Sequence, residues 1–173
     1  RRVTQIVAIC WDATSGRRLQ QKIDAIDQAG HELVRLEGEA ISKLNVGQRL
    51  KLLEDRIINF CRQLMHFDHF AIRLLDRKTN KLELVICVGL PTEAMEVELF
   101  AESDGNGISG YVASTGRSYI CPDVTKDSRY VTGLANARSS LTVPLMLHSE
   151  VIGIFNIESS RPSAFTEDDR QFA

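Results

Sequence analysis

Four cysteines and four histidines are the side chains of this 173-residue chain best suited to nucleophilic, redox or metal chemistry. The cysteines are Cys10, Cys61, Cys87 and Cys121, and their wide spacing contains no Cys-x-x-Cys pair and no metal-knuckle pattern. Thiol catalysis requires a nucleophile and a resolving partner within reach of each other, and nothing in the sequence brings two of these thiols together. We therefore predict four reduced, buried thiols and no catalytic residue.

The histidines give an equally weak metal signal. His66 and His69 are three residues apart and are the closest pair in the sequence. Zinc normally takes three or four ligands, so two histidines alone make an incomplete site, and the alternative is a pair of exposed histidines in a helix-to-strand turn. His31 and His148 are far away in sequence and are interpreted as surface residues. We predict no metal and no cofactor.

The overall composition is that of a soluble globular protein. Hydrophobic residues make up 43% of the chain and charged residues 25%, with a net charge of -2 and a pI near 6.1. This balance provides no basic surface for nucleic acid or anionic membranes. No apolar run approaches the roughly 18 residues that span a bilayer. We expect a cytoplasmic protein with no nucleic-acid partner and no membrane-crossing segment in this fragment.

The N-terminal quarter of the chain predicts a strand followed by a long helix. Residues 3–11 are β-branched and apolar, and the turn formers of residues 12–16 end the strand. From Leu19 onwards, apolar residues recur at alternating spacings of four and three, with Gly30 and Glu37 as the weak positions. This is the pattern of a coiled-coil seam, and it predicts a homodimer. The alternative is one amphipathic helix packed on its own domain. The seam residues are Leu19, Ile23, Ile26, Leu33, Ala40 and Leu44.

The remainder of the chain predicts an α+β domain. Asn45 and Gln48 have the spacing of a capping box and should begin a second helix. The order of elements indicates an antiparallel sheet with helices on one face and residues 91–140 covering the other. The expected elements are strands at 68–76, 81–89, 119–121, 141–147 and 151–158, and helices at 50–64, 91–99, 108–114 (ended by Gly116) and after Thr166.

Six short segments carry a resemblance to a known family. In the order of the chain they resemble the motifs of the GAF domain family over about residues 49–173. The resemblance implies the GAF fold, a central antiparallel sheet with helices on one face and a loop-and-helix cover on the other. The segments are residues 107–116 (GISGYVASTG), 121–124 (CPDV), 127–130 (DSRY), 140–145 (SLTVPL), 151–157 (VIGIFNI) and 165–169 (FTEDD).

A second, shorter resemblance lies at the N-terminus. A strand running into Asp12-Ala13-Thr14 is similar to the end of a PAS domain, where a cap leads into a coiled-coil linker. Together the two resemblances imply three parts: the end of an upstream PAS-like domain (residues 1–18), a linker helix (19–48) and a GAF domain (49–173). We expect a fragment of a bacterial-type multidomain signalling protein, such as a two-component sensor kinase.

The family resemblance also narrows the chemistry. GAF-like methionine sulfoxide reductases need cysteines over the pocket, where this chain has Ser109 and the cysteine-free loop at 135–136. Bilin attachment needs a Cys-His pair, and Cys121 is followed by proline. We therefore predict a non-enzymatic domain. Cyclic-nucleotide GAF domains often carry an Asn-Lys pair followed by Phe and Asp-Glu. Here Phe165 and one acidic position of Asp168-Asp169 match, but the Asn-Lys position is Glu158-Ser159.

The resemblance places a pocket between the sheet and residues 108–140. It would hold an unidentified small molecule and make the domain a sensor that relays binding through the dimeric helix. Two alternatives remain: a cyclic-nucleotide-binding domain, and a ligand-free dimerisation spacer whose apolar residues only fill the core. The predicted floor is Phe70 and Ile72, the predicted walls are Phe100, Ile108 and Tyr111, and the predicted polar contacts are Asp123, Tyr130, Ser139 and Ser140.

Overall fold

The computed structural model describes residues 45–64, 67–131 and 135–172 of the chain. The chain divides into two compact units, residues 1–64 and 65–173. The predicted strand at 3–11 and the predicted coiled-coil seam between Leu19 and Leu44 lie outside the described residues. In the part of the chain that the structure describes, no helix has the length and apolar character needed to cross a membrane.

Helix α1 (Val46–Leu64) begins at the predicted capping box. The backbone N–H of Gln48 donates to the Asn45 side chain over 2.9 Å, and the Asn45 N–H donates back to the Gln48 side chain over 3.0 Å. This reciprocal pair satisfies two of the N–H groups that a helix start leaves without partners. The prediction of Asn45 as the N-cap is confirmed.

The second unit contains five strands and three further α-helices in the described residues. The strands are close to their predicted bounds, whereas the helix predicted at 91–99 spans only residues 92–95. The last helix starts with a second capping box, in which the Thr166 N–H donates to Asp169 over 2.9 Å and the Asp169 N–H donates to the Thr166 hydroxyl over 3.4 Å. In chain order the elements are β1 (His69–Asp76), β2 (Lys81–Val88), α2 (Thr92–Met95), α3 (Gly107–Thr115), β3 (Tyr119–Cys121), a 3₁₀ turn (Val124–Lys126), β4 (Ser139–Leu147), β5 (Glu150–Ser159) and α4 (Glu167–Phe172).

The five strands form one antiparallel sheet in the order β2-β1-β5-β4-β3. Both predicted hairpins are present, β1–β2 and β4–β5. The β4–β5 turn consists of His148 and Ser149, with φ of 49° and 67°, and two left-handed residues in a row suit the twist of a tight hairpin. The α+β class and the antiparallel sheet predicted from the sequence are confirmed.

Each strand presents alternate residues to the two faces of the sheet. Phe70 of β1 and Phe155 of β5 lie on one face, with their ring centroids 5.8 Å apart. The other face carries the residues between them, including Ala71, Arg73 and Ile154. A bulge in β2 opposite Ile72 and Arg73 shifts the register of the β1–β2 pair. Bulges of this kind re-aim neighbouring side chains and are common beside functional sites.

Helix α3 packs on β4 and β5, on the face that carries Ile154. It ends at Gly116, whose left-handed φ of 66° and N–H bond to the Val112 carbonyl form the predicted C-cap. At Gly110 a β-carbon would lie 2.6 Å from the carbonyl oxygen of Phe100 and 2.7 Å from that of Glu102, so only glycine fits there. The helix is thereby held tightly against residues 100–102.

Candidate ligand-binding cavity

A cavity of about 50 Å³ lies on the face of the sheet that α3 covers. Its floor consists of strand residues, namely His69, Ala71, Arg73, Ser140, Ile154, Asn156 and Glu158. Its cover consists of residues that precede or begin α3 and of the loop after β3, namely Leu90, Ala94, Val97, Leu99, Asn106, Gly107, Ile108, Ser109, Tyr130 and Val131. A space of this size holds a few water molecules, whereas pockets for drug-sized ligands measure about 300–1,000 Å³.

The floor is unusually polar for a face of a sheet that is buried. Arg73 is only 6% exposed, and Nη1 of its guanidinium donates to the Leu82 carbonyl over 3.1 Å. Burial lowers the pKa of Arg73, although a guanidinium remains protonated at neutral pH. Within the described residues no carboxylate lies within salt-bridge distance of it, and the charge of Glu83 acts on it only from further away and raises its pKa.

A second charged residue, Glu158, is 3% exposed and lies near the end of β5. One of its carboxylate oxygens accepts from the Tyr130 hydroxyl over 3.3 Å and from the Asn156 amide over 3.4 Å. The Thr142 hydroxyl donates to the Asn156 side-chain oxygen over 2.7 Å and extends the network onto β4. The network fixes these side chains on the floor, because a buried hydrogen-bonded chain has few alternative arrangements.

Ser140 stands out within this floor because its hydroxyl has no hydrogen-bond partner among the described residues, although the residue is only 1% exposed. Its neighbour Ser139 is buried to the same extent but donates to the Arg161 carbonyl over 2.6 Å and accepts from the Ala164 N–H over 3.2 Å. Buried hydroxyl groups are nearly always paired, so an unpaired one at a cavity wall is a candidate ligand contact.

The start of α3 lies in the cover, and its N-terminal residue does not cap it. Asn106 occupies the N-cap position, yet its side chain makes no capping bond. Instead, its oxygen accepts from the Phe100 N–H over 2.9 Å and its amide donates to the Glu102 carboxylate over 3.0 Å. The first N–H groups of α3, at Gly107 to Ser109, therefore receive no capping bond from the Asn106 side chain, and these residues line the cavity.

Of the nine predicted pocket residues, Ile108, Tyr130 and Ser140 line this cavity. Phe70 and Ile72, predicted as the floor, lie on the opposite face of the sheet, where Phe70 contacts Phe155 and Phe67. Side chains alternate between the two faces of a strand. In β1 the floor is therefore formed by the neighbours of Phe70 and Ile72, namely His69, Ala71 and Arg73.

The other four predicted residues also lie away from the cavity. The Phe100 backbone pairs with Lys81 at the edge of β2, and the Tyr111 ring packs edge-on against Tyr119 with centroids 5.7 Å apart. The Ser139 hydroxyl is engaged in the hydrogen bonds to the backbone of Arg161 and Ala164 described above. Asp123 caps the 3₁₀ turn and lies 3.2 Å from the Lys126 ammonium; the bond from the Thr125 hydroxyl and the one from Lys126 lower the pKa of Asp123 to about 2.

Sequence reasoning missed most of the polar floor. His69 was expected to be an exposed turn residue, but it is 1% exposed, and its Nδ1 lies 2.6 Å from the Val88 carbonyl oxygen. The sequence does contain one indication of a polar floor, because Arg73, Asn156 and Glu158 interrupt the otherwise apolar strands β1 and β5. Within the described residues, no group of three or more His, Cys, Asp or Glu side chains is arranged to hold a metal ion.

A second concavity lies at the far edge of the sheet and is a broad, open groove. It is bordered by β3, the loop through Asp127 and Arg129, and the segment at Pro162 and Ser163. Its polar groups are largely engaged with one another: the Tyr119 hydroxyl donates to Asp127 over 2.7 Å, and the Arg129 guanidinium lies 5.1 Å from the centre of the Tyr111 ring. The cavity beneath α3 is therefore the stronger candidate site.

An antiparallel sheet with a polar cavity beneath a helical cover defines a small α+β domain. Residues 50–173, more than half of the chain, match the model of the GAF domain family, and the chain belongs to that family.

Among curated proteins, the chain is 24% identical over 127 residues to the probable 3',5'-cyclic phosphodiesterase pde-5 of Caenorhabditis elegans. The match covers 66% of this chain but only 17% of that relative, so most of the relative has no counterpart here.

Solved structures share the fold at low sequence identity. The GAF domain of a phosphoenolpyruvate-protein phosphotransferase from Coxiella burnetii is 20% identical with a TM-score of 0.66, covering 87% of this chain and 84% of that one. The corresponding domain from Acinetobacter is 21% identical with a TM-score of 0.63, covering 88% and 85%. The free methionine-R-sulfoxide reductase of Neisseria meningitidis, solved with its substrate, is 20% identical with a TM-score of 0.59, covering 69% and 70%.

Proposed function

We propose that this GAF domain is a non-enzymatic regulatory module that binds a small polar molecule in the cavity under α3. The observation that carries the proposal is the polar floor, with the unpaired hydroxyl of Ser140 and the buried charges of Arg73 and Glu158. Burying polar groups destabilises a fold unless they are satisfied, and an apolar residue at each position would pack at lower cost. A ligand that bonds to them supplies a reason for their presence.

The output of the module is proposed to pass through the N-terminal helix. A ligand shifts an equilibrium between two helix arrangements only by its different affinity for each. The heptad pattern from Leu19 to Leu44 supports a homodimer in which such arrangements exist. The PAS-like start and the cytoplasmic location remain predictions that belong to the same picture of a multidomain signalling protein.

The shared fold with methionine sulfoxide reductases makes a thiol enzyme the alternative to consider first. Cys121 is fully buried, and burial together with the charge of Asp127 raises the pKa of its thiol to about 11. A thiol with that pKa is protonated at neutral pH and is a poor nucleophile. Cys87 lies on β2 at the opposite edge of the sheet, four strand spacings or about 19 Å away from β3. These two thiols are therefore too far apart to act as a redox pair.

Cyclic-nucleotide binding is the second candidate function, and the match to a probable cyclic phosphodiesterase favours it. Two features weigh against it. The cavity of about 50 Å³ would have to open substantially to admit a nucleotide. In place of the family's Asn-Lys pair stand Glu158, which belongs to the floor network, and Ser159, whose hydroxyl donates to Asp68 over 3.2 Å.

A thermal-shift screen of the 173-residue chain against polar metabolites, with cAMP and cGMP included, tests the proposal. We expect at least one compound to raise the melting temperature in a saturable way, because a ligand that binds only the folded state stabilises it. The control is Ala94→Trp, which fills the cavity under the cover and should lose the shift. A flat response to every compound supports the ligand-free spacer, and a response to cAMP or cGMP alone supports the second candidate.

A further inference from the structure

The charge of Arg73 narrows the chemical class of the ligand, provided that the cavity is a ligand site as proposed above. Arg73 is buried in the floor and uses one of its five N–H groups on the Leu82 carbonyl. Among the described residues, no second hydrogen-bond acceptor and no salt-bridge partner holds the guanidinium, and the charge of Glu83 acts on it only from a distance. A buried cation without a hydrogen-bonded counter-ion is costly, and an oxyanion is the group that a guanidinium binds best.

The cover presents further donors to the same space. The N–H groups of Gly107 to Ser109 at the start of α3 lack a side-chain cap, because Asn106 bonds to Phe100 and Glu102 instead. A helix N-terminus carries a partial positive charge and favours anions. The hydroxyl of Ser140 also lines the cavity and bonds to no described residue, so it is a further, independent polar contact for a ligand there.

Glu158 does not oppose an anion at the Arg73 end. In the β1–β5 register Arg73 pairs with Ile154 and His69 pairs with Glu158, so the two charged residues differ by four positions along the strand, or about 13 Å. Arg73 also reaches across β2 to Leu82, away from Glu158. The floor thus carries its positive and its negative side chain at separate positions along the strands.

We propose that the ligand of this cavity carries an oxyanion, a carboxylate or a phosphate, which binds to the guanidinium of Arg73 beneath the start of α3. The neutral part of the ligand then extends over the floor towards Ser140 and Asn156. Arg73 acts as the specificity determinant, because a neutral analogue leaves its charge buried without compensation.

Titration of the ¹⁵N-labelled 173-residue chain with acetate, inorganic phosphate and acetamide at constant ionic strength tests this assignment. Acetate and acetamide have nearly the same shape and differ in charge. We expect acetate, phosphate or both to shift the side-chain Nε–H resonance of Arg73 and the amide of Ile108 saturably, with acetamide at least tenfold weaker. The acetate and phosphate arms distinguish a carboxylate ligand from a phosphate ligand.

Three variants make the titration decisive. Arg73→Met should weaken anion binding at least tenfold, and Arg73→Lys, which keeps a charge but loses the planar fork, should weaken it less. Arg129→Met removes an exposed arginine that stacks on Tyr111 and should leave binding unchanged. Equal binding of acetate to the native chain and to Arg73→Met overturns the assignment.

The outcomes also separate this inference from the proposed function. If acetamide shifts the cavity resonances as strongly as acetate, the anion assignment is wrong and the ligand site stands. If none of the three probes gives a saturable shift, the anion assignment is again wrong, and the metabolite screen decides separately whether the cavity binds anything.

Discussion

Two adjacent serines at the start of β4 show how differently the same side chain is used in this domain. Ser139 holds the segment after β5 through bonds to Arg161 and Ala164, so its hydroxyl is part of the framework. Ser140 lines the cavity, and its hydroxyl bonds to no described residue. Both residues are 1% exposed, so the different bonding of the two hydroxyl groups does not arise from a difference in solvent exposure.

Alanine substitutions at the two serines should therefore have opposite effects. Ser139→Ala removes two hydrogen bonds and should lower the free energy of unfolding by about 1–2 kcal/mol. Ser140→Ala removes a buried hydroxyl that lacks a partner and should raise it by up to about 1 kcal/mol while weakening ligand binding. Urea denaturation of both variants measures the difference. A loss at Ser140 as large as that at Ser139 would show that its hydroxyl is satisfied.

Asp68 links the start of β1 to the end of β5. Its carboxylate accepts from the Ser160 N–H, from the Ser160 hydroxyl over 2.8 Å and from the Ser159 hydroxyl over 3.2 Å. The backbone N–H bond from Ser160, followed by the hydroxyl bond from the same residue, lowers the pKa of Asp68 below its usual 3.8. A lowered folded-state pKa means that the group stabilises the fold above the unfolded-state value near pH 4 and loses this effect as the pH falls further.

Asp68→Asn should consequently destabilise the domain at pH 7 by about 1 kcal/mol or less, since the carboxylate is largely exposed and water screens its charge. The difference from the native chain should shrink by pH 3. Urea denaturation at the two pH values checks this. Asp104→Asn is the control, because among the described residues the Asp104 side chain accepts a single surface bond of 3.3 Å, from Ser103. A difference that grows on acidification would contradict the account.

The buried ionic residues of the site were beyond sequence analysis for a physical reason. In β1 both the apolar Phe70 and the charged Arg73 are buried, although they lie on opposite faces of the sheet. Hydrophobicity alone therefore does not tell which of the two alternating sets of β1 residues faces the cavity. The sequence favours the apolar residues Phe70 and Ile72 for the floor, whereas the cavity faces the more polar alternate residues of β1, His69 to Arg73. Ile108, Tyr130 and Ser140 line the cavity because local motifs place them on α3, on the loop after β3 and on β4; their contact with a ligand stays a prediction.

At the scale of elements, the contact between α3 and the strap (residues 96–102) shapes the cover. The strap runs along the edge of β2 and is held there by two backbone hydrogen bonds, each 2.8 Å long. The Leu82 N–H donates to the Leu99 carbonyl, and the Ala101 N–H donates to the Asn80 carbonyl. Gly110 lets α3 approach the strap to a distance that excludes a β-carbon. Strand bounds, capping boxes and the Gly116 cap follow from short sequence patterns and were predictable, whereas this close approach depends on residues far apart in the chain.

Gly110→Ala should disturb the cover. Alanine normally favours a helix over glycine by about 1 kcal/mol, but here its β-carbon would collide with two backbone carbonyl groups, and we expect a net loss of about 2 kcal/mol. Gly105→Ala is the control, because its β-carbon meets no atom within 4 Å and its cost arises only from a φ of +77°, about 1 kcal/mol. Urea midpoints of the two variants compare these losses, and equal or smaller loss at Gly110 would contradict the close packing.

At the scale of the whole molecule, the heptad pattern predicts association through the N-terminal helix. Light scattering should give a dimer mass for the 173-residue chain and a monomer, or a weaker dimer, for residues 45–173. Ile23→Asp should weaken the dimer because it places a charge in the seam, whereas Gln21→Glu outside the seam should not. A monomeric native chain would rule out the coiled-coil interpretation and leave the single amphipathic helix.

The central claim is that a ligand occupies the cavity beneath α3, and amide hydrogen exchange tests it most directly. Exchange is measured with and without the metabolite that raises the melting temperature most. The account predicts protection in residues 90–109 and at Tyr130 and Val131, because an occupied cavity holds its cover closed. Protection confined to the open groove at residues 119–129 and 162–163, or no added protection in the cover, would contradict it.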